Sequence, residues 1–194
     1  MSAPDPKAEL LRYLQEGRDA LLWKLEGLSD YAVRRPLTPT GTNLLGLVKH
    51  TAGVELGYFG DTFNRPFFGA EPPAWWYTQD AEPNADMWAA EDESREDIIA
   101  LYKRAWEHSD ATIASLQLDA TGHVPWWPQE RSAVTLHHAL VRVISDTQRH
   151  AGHADILREL VDGSVGVAPG KNTPPTEAAH RDRLERVARR FGDS

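Results

Sequence analysis

One stretch constrains the fold more than any other. From Leu136 to Asp162 the chain reads LHHALVRVISDTQRHAGHADILRELVD, free of proline and apolar at helical spacing. Thr135 stands before it as a helix N-cap, and Gly163 follows where a C-terminal cap belongs. Leu136, Ala139, Val143, Asp146, His150, His153, Leu157 and Leu160 recur at steps of 3, 4, 3, 4, 3, 4 and 3, which predicts one shared face. Both ends of that seam are apolar, so it is expected to face a core. Its middle is Asp, His, His. Burying three polar side chains in a row is costly unless they are paired. A divalent ion pairs them well, because neutral imidazole and carboxylate are ligands for zinc and similar metals. A buried hydrogen-bonded network is the alternative.

Such a helix needs partners, and the remaining sequence offers three long ones. Asp5-Pro6 opens a helix over about 7–28, with Leu10, Leu14, Leu21, Leu25 and Leu28 on one side. A second helix is expected from Asn43 to about Phe63, with Leu44, Leu47, Thr51, Val54 and Tyr58 as its apolar stripe. Beside that stripe run Gly46, His50, Gly53, Gly57 and Gly60. A mid-helix glycine costs about 1 kcal/mol against alanine, so the glycines imply close approach by another helix or space kept for something else. Ser94 and Asp97 form a capping box for a third helix. The segments 65–93 and 119–134 are long irregular connections, and no strand pattern is evident. Residues 163–175 form a linker, and an arginine-rich amphipathic helix is expected over 176–191. The 194 residues suit a single domain, an all-α four-helix bundle with a core over about 7–162.

His50 lies on the glycine stripe of the second helix. It is the natural third ligand beside His150 and either Asp146 or His153. Asp146 and His150 stand four apart and can reach one ion. Glycines beside three ligands would leave an open coordination position, as a catalytic rather than structural ion needs. Three aromatic doublets, Phe67-Phe68, Trp75-Trp76 and Trp126-Trp127, are candidates either for a ligand pocket or for capping the core ends. Arg142, one turn before Asp146, is a candidate for a substrate carboxylate or for an ion pair.

Composition narrows the chemistry. With no cysteine, the chain holds no disulfide, thiolate metal site or cysteine nucleophile. Thiol chemistry would need a thiol from outside. A net charge of −8 makes a poor general binder of nucleic acid or anionic membrane. The arginines of 181–190, interleaved with Asp182 and Glu185, read as a solvated face. The N-terminus resembles no signal peptide and no stretch is apolar enough to span a membrane, so a cytoplasmic protein is expected.

The stretches TNLLGLVKHTAGVELGYFGDTF, HVPWW and TLHHALVRVISDTQRHAGHADILREL together resemble the DinB-like superfamily. The likeness covers about residues 7–190 and points to an actinobacterial branch catalogued as a domain of unknown function, related to mycothiol-dependent maleylpyruvate isomerase. It implies a four-helix bundle of up-down-down-up type, often dimeric. It implies a divalent ion, zinc or nickel, on His50 of the second helix and on Asp146 and His150 of the fourth. Asp146 is one methylene shorter than the Glu found there in the isomerase, and His153 lies off the four-residue spacing. The implied activity is metal-dependent transfer or isomerisation with a low-molecular-weight thiol such as mycothiol and an electrophilic substrate. The reacting group would be a metal-activated thiol or water, with Arg142, Trp75, Trp76, Trp126 and Trp127 around the acceptor. A metal-dependent hydrolase and a non-enzymatic ligand-binding or stress-response bundle are the alternatives.

Overall fold

The computed structural model describes residues 5–69, 71–76, 81–171 and 177–192. Four long helices form a bundle: α1 (Pro6–Trp23), α3 (Leu44–Glu55), α4 (Arg95–Ser115) and α5 (Leu136–Asp162). α1 packs on α5, and α3 packs on both α4 and α5. The short α2 (Asp30–Arg34) and the terminal α6 (Ala178–Ala188) complete the helices among the described residues. No described helix is long and apolar enough to cross a membrane.

The helix ends follow from local chemistry. The Asp5 carboxylate caps α1 at the Lys7 amide, with Pro6 in the first turn. Asn43 caps α3 at Gly46, Ser94 caps α4 at Asp97, and Thr135 caps α5 at His138. Gly163 closes α5 in the left-handed region at φ 78°.

Several expectations need correction. α1 stops at Trp23 rather than Leu28. Leu25 is still buried, but it sits in a turn leading to Gly27, where φ is 74°. α2, capped by Ser29, escaped the reading because five residues carry too little period. The second helix does continue to Phe63, but changes pitch: a π-helical turn over Leu56–Gly60, then a 3₁₀ turn over Asp61–Phe63. A two-stranded antiparallel hairpin, β1 (Thr121–His123) with β2 (Ala133–Thr135), lies in the connection read as strandless. The expected start of the last helix at Thr176 falls outside the described residues.

The α5 seam does not stay on one face. A straight helix drifts about 20° per heptad against a 3.5-residue repeat. Leu136, Ala139 and Val143 are buried, but His153 is exposed and Leu160 is 64% exposed. Ala151, Ala154 and Leu157 carry the core at that end. Gly46 and Gly57 are approached by connecting segments, and Gly60 by the Arg65 carbonyl and by His108 of α4. A Cβ at Gly46 would stand 1.7 Å from the Met87 carbonyl oxygen, and one at Gly57 would stand 2.8 Å from the Trp126 ring. Between the two, Gly53 borders a cavity.

Candidate metal centre

α3 and α5 cross where each carries polar residues on its inner face. His50 comes from α3; Asp146 and His150 come from adjacent turns of α5. One ligand atom from each of the three lies within 4.8 Å of the other two. Asp146 Oδ2 stands 3.5 Å from both His50 Nε2 and His150 Nε2. That is too long for a good hydrogen bond. The two imidazoles meet edge to face, with centroids 4.6 Å apart. All three side chains are only 13–19% exposed.

Two buried atoms of the cluster have no hydrogen-bond partner: Asp146 Oδ2 and His150 Nδ1. A buried carboxylate oxygen left without a partner is expensive, and native proteins rarely leave one without a reason. Two imidazole nitrogens and a carboxylate oxygen facing one point form a donor set that suits zinc and similar divalent ions. Residue types and placement therefore fit a metal. Asp146 has the reach despite its short side chain.

Electrostatics separates the two histidines. Burial works to lower the His50 pKa, but Asp146 and Asp86 on either side of the ring prevail and raise it to about 9. Burial, then repulsion from His50, pushes His150 down to about 4. Asp146 is held below the usual carboxylate range: burial opposes this, and the neighbouring histidines outweigh it. Without a metal, His50 is an imidazolium between two carboxylates at neutral pH, while neutral His150 keeps one free lone pair.

A cavity of about 170 Å³ opens beside the cluster. His50, Asp146, Gly53, Val54, Tyr58, Trp126 and Arg142 line it. Since a water takes about 30 Å³, the space admits a few heavy atoms beside His50 and Asp146. Arg142 is exposed and borders the same cavity as Tyr58, which raises its pKa. Trp126 packs edge-on against Tyr58, with centroids 5.3 Å apart.

The remaining expected site residues lie elsewhere. His153 is exposed, its ring 5.3 Å from that of His150, and it is outside the three-residue cluster. Trp127 faces Tyr58 and His138 rather than the cavity. Trp76 is buried in the core, against Phe68. Trp75 covers the Lys49 ammonium, 4.9 Å from its ring centre, beside a different cavity. His50, Asp146, His150, Arg142 and Trp126 are thus brought together; Trp75, Trp76, Trp127 and His153 are not.

Two neighbours escaped the sequence reading. Asp86, in a 3₁₀ turn over Ala85–Met87, accepts a 2.6 Å hydrogen bond from His50 Nδ1. Buried Lys49 holds that turn from α3. Both attach to a connection without periodicity, where patterning gives no signal. The one available clue was general: a metal-binding imidazole needs a partner for its second nitrogen.

A family model described as mycothiol S-transferase matches residues 9–163. The chain belongs to the mycothiol S-transferase family. Among curated proteins none matches it. The matched span of this mycothiol S-transferase family member includes both helices of the His50–Asp146–His150 cluster, the hairpin and the connection that carries Asp86. The DinB-like resemblance and the helical fold expected from it both hold.

Proposed function

We propose that the protein is a metal-dependent S-transferase that joins the sulfur of a low-molecular-weight thiol, such as mycothiol, to an electrophilic carbon, the thiol giving up its proton and the acceptor its leaving group as the new S–C bond forms. One observation carries the reading: a buried carboxylate oxygen of Asp146, without a hydrogen bond, set 3.5 Å from two imidazole nitrogens, next to a small cavity, in a member of this family. His50 Nε2, Asp146 Oδ2 and His150 Nε2 would hold the ion, zinc or nickel by the donor set. Such an ion lowers the pKa of a bound thiol or water, making a nucleophile at neutral pH.

The residues around the cluster divide the remaining work. His150, kept neutral, offers its lone pair without first losing a proton. Val54, Tyr58 and the Trp126 ring wall the cavity and exclude bulk water from the reacting sulfur. Arg142, lining the cavity, gives an anionic acceptor a counter-charge. The absence of cysteine fits a thiol supplied as substrate.

The test is turnover of an electrophile by metal-loaded protein, with and without mycothiol, beside His150→Ala. Thiol-dependent turnover, lost in the variant, supports the transferase. Turnover that needs the metal but no thiol would replace it with a hydrolase. No metal-dependent turnover in either condition would contradict both.

A further inference from the structure

We propose that Asp86 is the positioning residue of the metal centre, and that the covering segment over residues 81–93 takes its course to deliver that carboxylate to His50. The inference rests on the metal reading above and names a residue that the reading leaves without a role. Asp86 Oδ2 lies 2.6 Å from His50 Nδ1, on the side of the ring away from Asp146 and His150. A histidine ligand that donates its second ring N–H to a carboxylate is fixed in rotation and tautomer, and its metal-binding nitrogen becomes a better donor.

The presentation is built into α3. Lys49 Nζ donates to the carbonyls of Ala85, at 2.9 Å, and Trp88, at 3.0 Å, on either side of Asp86. It also pairs with Glu93 at 2.7 Å, and Glu93 in turn accepts from the Ala90 amide. Asn43 Nδ2 donates to the Met87 carbonyl, which rests against Gly46, where no side chain can fit. Asn84 enters the turn at φ 60°, a conformation that asparagine tolerates better than most residues. Asn43, Gly46, Lys49 and His50 thus share the face of α3 that receives the turn. Met87, Ala85, Trp88 and Glu93 are anchored by backbone and by Lys49, so the turn is held without the Asp86 carboxylate. That carboxylate is spent on His50.

Cobalt(II) is the probe. Metal-free protein is titrated against a competing chelator, with the visible spectrum recorded, for wild type, Asp86→Asn and Asp86→Ala. Far-UV circular dichroism reports the fold of each. The expected result is cobalt affinity weaker by about 10–100-fold in both variants, a changed ligand-field spectrum, and unchanged helix content. Cobalt affinity and spectrum equal to wild type in both variants would overturn the proposal and leave the metal reading standing. Loss of affinity together with loss of helix content would assign Asp86 to the fold and overturn it equally. A wild type that binds no cobalt would end both readings.

Discussion

Two of the charged groupings in the bundle are built on opposite plans. In one, Arg18 of α1 meets Glu55 of α3. Arg18 Nε and one terminal nitrogen bond the two Glu55 oxygens at 2.9 and 2.6 Å; the other terminal nitrogen bonds Asp110 and Gln15. Every guanidinium nitrogen has an acceptor, and both partners are 0–1% exposed. In the other, Asp146 Oδ2 and His150 Nδ1 have no hydrogen bond, and the cluster borders a cavity. A buried pair that closes its own valences holds structure. One that leaves them open beside empty space is a place for something else. The pair and the cluster share α3, with His50 and Glu55 only five residues apart.

Breaking the closed pair should have the larger effect on stability. Glu55→Ala leaves the guanidinium buried with half its partners, at a cost of about 3–5 kcal/mol. Urea unfolding reads this, and metal stoichiometry of the folded fraction should stay unchanged. A cost below about 1 kcal/mol would remove the distinction drawn here. The open cluster should answer the other way. His150→Ala should leave metal-free stability nearly unchanged but abolish stabilisation by zinc, worth about 2.7 kcal/mol in wild type at a hundredfold excess over the dissociation constant. Thermal unfolding with and without zinc measures the difference, and zinc that still stabilises the variant counts against His150 as a ligand.

Proton linkage sharpens the contrast. His50 holds its second proton up to about pH 9, and an ion must displace it. Apparent metal affinity should therefore fall about tenfold per unit as pH drops from 9 toward neutral, with close to one proton released per ion. Calorimetry in buffers of different ionisation heat counts that proton. Stability of the metal-free protein follows both histidines. The raised pKa of His50 gives stability that is full below its unfolded value near 6.5 and lost as pH rises through 9. The depressed pKa of His150 favours folding above 6.5 and loses that advantage as pH falls through 4. The cluster contributes most near pH 6.5, and a pH series of unfolding midpoints should show it. The smallest effect belongs to the rim. Arg142→Ala, at an exposed position, should shift stability by less than about 0.5 kcal/mol while raising KM for an anionic acceptor. An unchanged KM would take Arg142 out of the site.

Much of this was legible because α3 and α5 keep helical period across the polar positions. His50 stands out on a glycine stripe and Asp146 and His150 on an apolar seam, and Thr135 and Gly163 mark the ends of α5. What failed had identifiable causes. The 3.5-residue seam was extended too far along a 3.6-residue helix, which put His153 and Leu160 on the wrong face. The hairpin has strands of three residues each, too short for alternation to show. Aromatic doublets reveal no direction, and Trp126 reached the cavity where Trp76 went to the core. Asp86 depends on the tertiary course of a connection, fixed by Lys49, Asn43 and the bare face of Gly46. No local pattern encodes such a contact.

The most direct test of the account is metal analysis of tag-free protein by mass spectrometry, with His50→Ala alongside. The account predicts about one equivalent of zinc, nickel or a similar ion in the wild type and almost none in the variant. Wild-type protein that remains metal-free after incubation with divalent ions, or a His50→Ala variant that retains a full equivalent, would contradict it.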